Sequence, residues 1–434
     1  MRSSPFLLFG TSAWFSAFHG ENASVGFYFL CSPCPVRCFF VKYLQMQGEG
    51  IFDTYESSIQ SVSSERFQVV IMATGAFAVP SMQALCESDT CDVVCLVTSP
   101  LRYEKSGNPI ITPARQVAEQ YDLLISDQEN VNSPEFFEFL YLLRPDLIFV
   151  CDFGQILSNR TLSGSLLGGI NLHGSLLPRF RGAAPVHWAI LTGETDTGVS
   201  IIHMTPQVDA GPVIAQSPPI PIGPWETVVE LEERLAEYGA ELVFDTVVKM
   251  ARKETIRIID QLHDRASKAP RLQKAHGFIP WDRSSKEIFN HHRATMPWPR
   301  AFTDWHREDG TTLRLICGQL TPLDDSLSDL VSEDFSQAFF VAPILTDAKF
   351  DNLAELKATP KKPKRVPAKR RSDHSQRPSW WKPGVVIRAE GDELIVAAKE
   401  GAVRIEQIQP AGKKMMPIHD FLRGYPIKQG DRLG

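Results

Sequence analysis

The residues best suited to chemistry lie between Asp152 and Gly211, where an amide, an imidazole and a carboxylate follow apolar segments. Asn171 and His173 stand two positions apart at the end of the apolar run GINL, so a strand would direct both side chains to one face. Asp209 lies in a later loop, just before Gly211. Because open α/β sheets bind ligands at the carboxyl ends of their strands, we expect Asn171, His173 and Asp209 to share one pocket.

These three side chains suit the transfer of an acyl-type group to an amine. Asn171 offers a neutral N–H to a developing oxyanion, and His173 can change charge near neutral pH and move a proton. Asp209 can orient the imidazole or a water, or collect a proton. The sequence has no GxSxG elbow, and Cys151 has no evident base partner, so we expect direct attack by the acceptor without a covalent enzyme intermediate. A lone strand-end His or a turn Asp is more often structural, so spacing alone leaves this chemistry open.

Alternating strands and helices must position these residues. Nearly continuous apolar runs predict six strands, at 67–73, 92–97, 146–150, 169–172, 198–204 and 212–220. Helical spacing predicts helices between and after them, at 77–85, 134–142, 183–191 and 226–251. This alternation is typical of a parallel α/β sheet.

The pattern changes after about residue 265. Short strands with turn signals are predicted at 300–306, 311–319, 384–388, 393–398 and 402–408, which indicates a small β-barrel or sandwich. An insertion at 321–381 interrupts them; it is acidic at first and then basic and Pro-rich, above all from Lys357 to Arg371. Like-charge blocks with proline are usually disordered. We favour a solvated loop here over the alternative, a phosphate-binding arm.

Length and composition set outer limits on the class of protein. A chain of 434 residues, 43% hydrophobic and 22% charged, predicts two to three domains and excludes a disordered chain, a collagen or a polytopic membrane protein. The net charge of −6 argues against a dedicated nucleic-acid coat protein, although it permits a local basic patch. Eight cysteines are too few for a disulfide scaffold of this length.

Residues 1–66 differ from the rest of the chain and are predicted to be a disordered extension. The apolar stretch 5–18 is shorter than the ~20 residues of a membrane-spanning helix. A signal peptide, a transit peptide and untranslated upstream sequence with Met46 as the start are the alternatives, and we favour the last. Cys31, Cys34 and Cys38 have spacing that can hold a metal, but reduced thiols are the better interpretation and no metal is expected.

Several motifs resemble those of the formyltransferase family that uses 10-formyltetrahydrofolate. INLHGSLLPRFRGAAPVHWAI looks like the family signature, VDAGPVIAQ like its second motif, and MATGAFAVPSMQAL like its opening strand and helix. The family usually has Thr-Pro where this chain has Thr74 and Gly75. Toward the carboxyl terminus, IPWDRSSKEIFNHHRATMPWPRAF, QIQPAGKKMM, DFLRG and GDRLG also match. The resemblance covers residues 67–434 apart from the insertion 321–381.

The resemblance implies two domains and a reaction. The fold would be a doubly wound, Rossmann-like catalytic domain at 67–265, followed by an OB-like barrel at 266–434 that binds tRNA. The activity would be transfer of the formyl group of 10-formyltetrahydrofolate to the α-amine of methionine carried by initiator tRNA. Asn171, His173 and Asp209 match the catalytic residues of the family. The residues that match its folate-bordering loop are Ser175, Leu176, Leu177 and Pro178, and the Leu177–Pro178 bond can be cis.

The sequence offers few basic residues for contact with tRNA. Where the family has a basic loop, this chain has only Arg102, Lys105 and Arg115, and Lys413 and Lys414 are further candidates. The basic insertion can compensate for this loop. We expect a monomer without a membrane partner, in a bacterial cytoplasm or alternatively in a mitochondrion or plastid. The alternative functions are another formyltransferase or a hydrolase of this superfamily, or a non-catalytic RNA-binding relative.

Overall fold

The structure is a computed structural model, which describes residues 66–323 and 381–434. The chain divides into two compact units, and the second, Arg66–Gly434, contains all the described residues. The expectations for residues 1–65, including the early cysteine run, and for the charged insertion at 324–380 lie outside the described residues. Within the described ranges, no helix has the length and apolar character needed to cross a membrane.

A seven-stranded sheet forms the centre of the amino-terminal half. Its strands in chain order are β1 (Phe67–Ala73), β2 (Cys91–Thr98), β3 (Ile125–Asp127), β4 (Leu147–Cys151), β5 (Gly169–His173), β6 (Ser200–His203) and β7 (Val213–Gln216). Their order across the sheet is β7-β6-β5-β4-β1-β2-β3. The chain thus builds outward from β1 to β3 and then returns to the other side of β1, which is the arrangement of a doubly wound sheet.

Helices cover both faces of this sheet because alternate residues of each strand are buried on opposite sides. They are α1 (Val79–Cys86), α2 (Pro113–Gln120), α3 (Pro134–Leu143), α4 (Asn159–Leu162), α5 (Pro185–Leu191) and α6 (Val228–Ala251). In β1, Val69 and Ile71 pack with α1, α5 and α6, whereas Val70 and Met72 pack with α3. Burial on both faces explains why the strands have nearly continuous apolar sequences.

The predicted sheet differs from the observed sheet in two details. The short strand β3 was not predicted. The strands β1 to β5 are parallel, but β6 was expected to continue the parallel sheet and instead pairs antiparallel with both β5 and β7. An apolar run reports that a strand is buried on both faces, but it carries no information on strand direction. The short loop between β6 and β7 accounts for their antiparallel pairing, whereas β5 and β6 are antiparallel although α5 lies between them in the chain.

An antiparallel, nearly closed barrel forms the carboxyl-terminal half. Its strands are β8 (Phe302–His306), β9 (Thr312–Leu323), β10 (Val386–Glu390), β11 (Glu393–Ala397), β12 (Ala402–Pro410), β13 (Met416–Pro417) and β14 (Arg432–Leu433). The order is β10-β11-β12-β9-β8-β14, with β13 beside β12, and a bridge between Val385 and Arg432 brings the two ends together. The predicted fold class, a doubly wound sheet followed by a small OB-like barrel, is confirmed.

Two segments join the halves. The helix α7 (Ser285–Ala294) lies against α5, and Arg293 on it donates Nη1–H bonds to the carbonyls of Gly223 and Glu226, 2.9 and 2.7 Å away. The linker after α6 runs back along the first half, where Ile259 and Val213 exchange backbone hydrogen bonds. The linker therefore returns to the edge of the sheet that carries the predicted site. A last helix, α8 (Ile418–Gly424), packs Phe421 into the barrel.

Candidate active site

The structure brings the three sequence-predicted side chains together at the carboxyl end of β5. Asn171 Nδ2 donates to Asp209 Oδ1 at 3.4 Å, and His173 Nδ1 lies 3.6 Å from Asp209 Oδ2. His173 is 5% exposed, whereas Asn171 is only partly buried. The 3.4 Å hydrogen bond is long and therefore weak, so the Asn171 amide is available to a better acceptor.

The imidazole of His173 is oriented by a backbone carbonyl. Its Nε2 lies 2.9 Å from the Phe180 oxygen, and since a carbonyl only accepts, Nε2 must carry the proton. Nδ1 is therefore the nitrogen that faces Asp209. In the neutral ring Nδ1 accepts a hydrogen bond, and in the charged ring it donates one.

Asp209 is held in place from three directions. Its backbone adopts a positive φ of 50°, its Oδ2 accepts the Gly182 N–H at 2.8 Å, and its carbonyl accepts from Gln261 Nε2 at 2.9 Å. The same Gln261 amide also donates to the Gly211 carbonyl at 2.6 Å. The carboxylate is thus fixed by the loop before α5 and by the linker after α6.

The linker also fixes the loop at residues 174–182. Ser267 Oγ accepts the Phe180 N–H at 2.8 Å, and the Ala269 N–H donates to the Arg181 carbonyl at 2.7 Å. Gly182 has a φ of +127°, and a Cβ there would lie 2.5 Å from the Ala269 oxygen. Only glycine fits this approach, and it leaves the Gly182 N–H free to bind Asp209.

The four residues of the predicted folate-bordering loop divide into two pairs. Ser175 is fully buried and its hydroxyl donates to the Arg179 carbonyl at 2.7 Å, and Leu177 packs in a small interior cluster. Leu176 and Pro178 instead line an open cavity of about 450 Å³. The Leu177–Pro178 bond is cis. Ser175 and Leu177 therefore shape the loop, and Leu176 and Pro178 are the pair that a ligand can reach.

The predicted tRNA-contacting bases lie on two separate elements. Arg102 and Lys105 are exposed on a short hairpin after β2, and Lys413 and Lys414 are exposed on the turn after β12. Arg115 differs from these, because it is buried in α2 and paired with Asp127. Its charge is therefore already used within the fold and is not free to bind phosphate.

Cys151, which ends the strand beside β5, is not suited to act as a nucleophile. Cys151 is fully buried at the end of β4, and burial raises the pKa of its thiol well above the ordinary value. A thiol with a raised pKa stays protonated at neutral pH and reacts poorly. Direct attack by the acceptor remains the chemistry that these side chains favour.

Sequence reasoning missed several residues that position the site. Gln261, Ser267 and Ala269 belong to an irregular linker without hydrophobic periodicity, and no motif marks them. Arg181 was read only as part of a loop, but its guanidinium donates to Gln261 Oε1 at 2.7 and 3.0 Å. The contact between Arg181 and Gln261 joins residues 80 positions apart in the sequence. A local sequence pattern cannot reveal such a contact.

Two further carboxyl groups near this edge of the sheet have altered acidity. Burial raises the pKa of Asp152, which follows β4, while the positive charge of Arg271 opposes that rise. Burial, with a contribution from the charge of Asp152, raises the pKa of Glu232 on α6 to about 7. Groups titrating near neutral pH are concentrated at functional sites, and neither residue was singled out from the sequence.

Comparisons with known proteins agree with this architecture. The family model described as "Formyl transferase" matches residues 65–247, and "Formyl transferase, C-terminal domain" matches residues 271–327 and 357–426. Both parts of the chain thus match the domains of a formyltransferase. A solved N-formyltransferase from Helicobacter canadensis is 15% identical, covering 78% of this chain and 98% of that one, with a TM-score of 0.48.

Curated relatives are similar over nearly their whole length. The methionyl-tRNA formyltransferase of Rhodopirellula baltica is 35% identical over 85% of this chain and 97% of that protein. The enzyme of the same name from Moorella thermoacetica is 32% identical over 85% of this chain and 99% of that protein. The chain therefore belongs to the methionyl-tRNA formyltransferase family.

Proposed function

We propose that this protein transfers the formyl group of 10-formyltetrahydrofolate to the α-amine of methionine esterified to initiator tRNA. The observation that carries the proposal is the convergence of Asn171, His173 and Asp209 at the carboxyl edge of the sheet. The family supports the substrate pair, because its members are named for methionyl-tRNA. The proposed catalytic domain is 67–265, and the proposed tRNA-binding domain is 266–434.

The residues at the site fit a folate co-substrate, which supplies an activated one-carbon group bound to nitrogen. Val208, next to Asp209, is 53% exposed, and Leu176 and Pro178 line the nearby loop cavity. Such apolar surfaces suit a flat heterocycle, and a few polar groups beside them fix its orientation. Ser175 and Leu177 support this loop from its buried side.

In the reaction proposed, the neutral amine attacks the formyl carbon and the formyl oxygen becomes an oxyanion. The Asn171 amide leaves its weak bond to Asp209 and donates to that oxygen. The His173 Nδ1–H of the charged ring donates there too, and then passes its proton to the departing nitrogen. Asp209 orients His173 and takes part in removing the proton that the attacking nitrogen must lose.

Positioning of the two reactants contributes to the rate, as proton transfer does. Asp209, His173 and the loop at 174–182 are already fixed by hydrogen bonds to backbone and to Gln261. Holding two reactants in attack geometry can remove about 7–11 kcal/mol of the barrier. The exposed bases Arg102, Lys105, Lys413 and Lys414 would position the tRNA through its phosphates.

The test is a formylation assay with purified full-length protein, 10-formyltetrahydrofolate and methionyl-tRNA, the initiator and elongator forms being assayed separately. We expect formylmethionyl-tRNA from the initiator form, and more slowly from the elongator form. Formylation of a free or nucleotide-linked sugar amine in its place would indicate another formyltransferase. Release of formate alone would indicate a hydrolase, and tRNA binding without turnover an RNA-binding relative.

The predicted place of action follows from the reaction. Formylated initiation is a property of bacteria and organelles, so we infer a cytoplasmic enzyme in a bacterium, or alternatively one that acts in a mitochondrion or plastid. We also infer that the enzyme works as a monomer, since the proposed site is formed within a single chain.

A further inference from the structure

An acidic cleft lies beside the proposed catalytic residues, at the point where the strand order reverses. The chain builds from β1 toward β3 on one side and returns to β4 on the other, so the crevice lies between the carboxyl ends of β1 and β4. Ligands of open α/β sheets bind at such crevices. Thr74 and Gly75 follow β1 on one side of the crevice, and Asp152 follows β4 on the other.

The Asp152 side chain lies directly against Gly75. A Cβ placed on Gly75 would overlap the Asp152 carboxylate, so this carboxylate occupies the space that any side chain at position 75 would fill. The Thr74 N–H donates to the Asp152 carbonyl at 3.2 Å, which joins the two strand ends. Proline, which resembling formyltransferases usually have at this position, would place a Cβ in that space, so the observed position of the carboxylate depends on glycine at position 75.

Glu232 and His187 continue the cleft on its helical side. Glu232 Oε1 on α6 lies 3.5 Å from Nδ1 of His187 on α5, and the charge of Asp152 contributes to the raised pKa of Glu232. Burial lowers the pKa of His187, which is therefore neutral at pH 7 and does not offset the two carboxyl groups. Arg271 from the linker is the cation that acts on Asp152.

One polar atom beside this cleft, Thr74 Oγ1, is buried without a hydrogen bond within the part of the chain that the structure describes. His187 Nδ1 differs from it, because the Glu232 carboxylate lies 3.5 Å away. Buried polar groups are normally satisfied, and exceptions need an explanation such as a ligand. The Asp152 and Glu232 side chains remain partly open to solvent, so a ligand can reach them.

The cleft is adjacent to the proposed catalytic residues. Val150 of β4 pairs with Asn171 of β5, so Asp152 ends one strand away from His173, at a spacing of about 4.8 Å between strands. A Cβ on Gly174 would lie 3.0 Å from Val186, so the residue after His173 packs closely against α5, the helix that carries His187. An acceptor bound in the cleft would place its amine near the trio.

We propose that Asp152 and Glu232 bind the α-ammonium group of the aminoacyl acceptor in this cleft, and that Glu232 receives the first of its two leaving protons. This inference rests on the proposed function. An amine that enters as ammonium must lose one proton before it attacks, and a second after the new C–N bond has formed. Glu232 takes the first proton and becomes a neutral acid, and the Asp209–His173 pair receives the second.

The pKa values of the α-amino group and of Glu232 agree with transfer of the first proton to Glu232. A free α-amino group has a pKa of about 7.7–8.0, so transfer of its proton to Glu232, whose pKa is about 7, is nearly balanced in free energy. Formylation removes the positive charge of the nitrogen. The two carboxyl groups therefore attract the substrate but not the amide product, which favours product release.

The test uses the full-length protein and the variants Asp152→Asn and Glu232→Gln, with Glu233→Gln on the exposed side of the same helix as the matched control. Without formyl donor, wild type should bind methionyl-tRNA about 10-fold more tightly than N-acetylmethionyl-tRNA at pH 6.5, since a hydrogen-bonded charge is recognised. Both cleft variants should lose this preference.

Turnover provides a second measurement. At pH 6.5 the KM of both cleft variants for methionyl-tRNA should be about 10-fold higher than that of wild type, and this difference in KM should be smaller at pH 8.5, where the amine arrives neutral.

Gly75→Ala is a second, independent variant, because it displaces the Asp152 carboxylate without removing a charge, and the φ of −90° at Gly75 accepts alanine. It should reduce the preference for methionyl-tRNA over N-acetylmethionyl-tRNA, as the two cleft variants do. The KM for folate should be unchanged in all variants. If wild type formylates methionyl-tRNA but the cleft variants match Glu233→Gln at every pH, this inference is overturned and the proposed function stands. If wild type does not formylate methionyl-tRNA, the proposed function itself fails.

Discussion

The orientation of the His173 imidazole is fixed within the protein, because its Nε2 donates a hydrogen bond to the Phe180 carbonyl. Only Nδ1 is left for chemistry, and it faces Asp209. The sequence placed a histidine at the end of a strand but could not choose between its two nitrogens. The choice depends on the loop at residues 174–182, whose path is set by the linker from the other end of the domain.

The roles proposed for Asn171 and Asp209 predict losses of rate without loss of folding. Asn171→Ala removes an oxyanion donor, and we expect kcat to fall about 10²–10³-fold. Asp209→Asn keeps an acceptor for the Gly182 N–H but removes the charge, and we expect a loss of similar size. Single-turnover formylation and thermal unfolding measure the two effects separately. Near-normal formylation by both variants would refute the assignment.

Gln261 is predicted to act on rate through Asp209. Its amide holds the Asp209 and Gly211 carbonyls, so Gln261→Leu should loosen the loop and lower kcat about 10-fold, with a smaller change in KM for tRNA. Gln116→Leu, on the exposed face of α2, is the control and should leave kcat unchanged. A Gln261→Leu enzyme with wild-type kcat would show that the loop holds its position without this side chain.

At the scale of the elements, α7 carries buried groups where the two halves meet. Arg293 donates to the carbonyls of Gly223 and Glu226 in the loop before α6, and its Nε also donates to Asn290 Oδ1 at 3.0 Å. Arg293→Met would leave those carbonyls unpaired, and we expect the free energy of unfolding to fall by about 2–4 kcal/mol. Arg283→Met, exposed just before the same helix, should cost less than about 0.5 kcal/mol in urea unfolding. Equal costs for the two changes would contradict this account of the contact.

His292 on α7 gives the fold a predictable response to acid. Burial, and then the neighbouring His291, lower its pKa to about 4, whereas an exposed histidine has a pKa near 6.5. The unfolded chain therefore binds a proton more readily, so stability is full above pH ~6.5 and is lost as the pH falls toward 4. By pH 5 the loss from this residue is about 2 kcal/mol.

The His292→Gln variant should remove that part of the pH dependence. Urea unfolding at pH 7.5 and at pH 5 should show a smaller difference for the variant than for wild type, even if the variant is less stable at pH 7.5. The histidine His291 also has a pKa lowered by burial, so some acid sensitivity should persist. An unchanged pH slope in His292→Gln would show that this residue is not its source.

At the scale of the whole molecule, net charge conceals a strong separation of charge along the sequence. The overall value is −6, yet residues 357–371 are strongly basic. Replacing their lysines and arginines with glutamine should reduce the slope of log KM for tRNA against log salt, if this stretch contacts phosphates. Neutralising the acidic residues between 324 and 334 is the control and should not reduce it. An unchanged slope in the first variant would identify the insertion as a passive loop.

Much of the fold was predictable because its signals are local. Apolar runs marked the strands β1, β2, β4 and β5, and helical spacing marked α1, α3 and α6 to within two or three residues. The strand β3 has only three residues and was not predicted, because so short a segment has no apolar run. The start of α6 had a further local signal, since Thr227 and Glu230 cap each other's backbone N–H groups. The antiparallel direction of β6 was not predictable, because burial on both faces gives the same apolar run in either direction.

By itself, the sequence determined the fold class and the family and predicted the three site residues Asn171, His173 and Asp209, because strand periodicity and motif spacing are properties of neighbouring positions. Only the tertiary structure decided which nitrogen of His173 faces Asp209, that Gln261 holds the Asp209 loop, and that Gly75 makes room for Asp152. Each of these depends on groups that are distant in the chain and meet within a few ångströms. Hydrogen bonds and steric exclusion act over that distance in space, and no local pattern of residues records them.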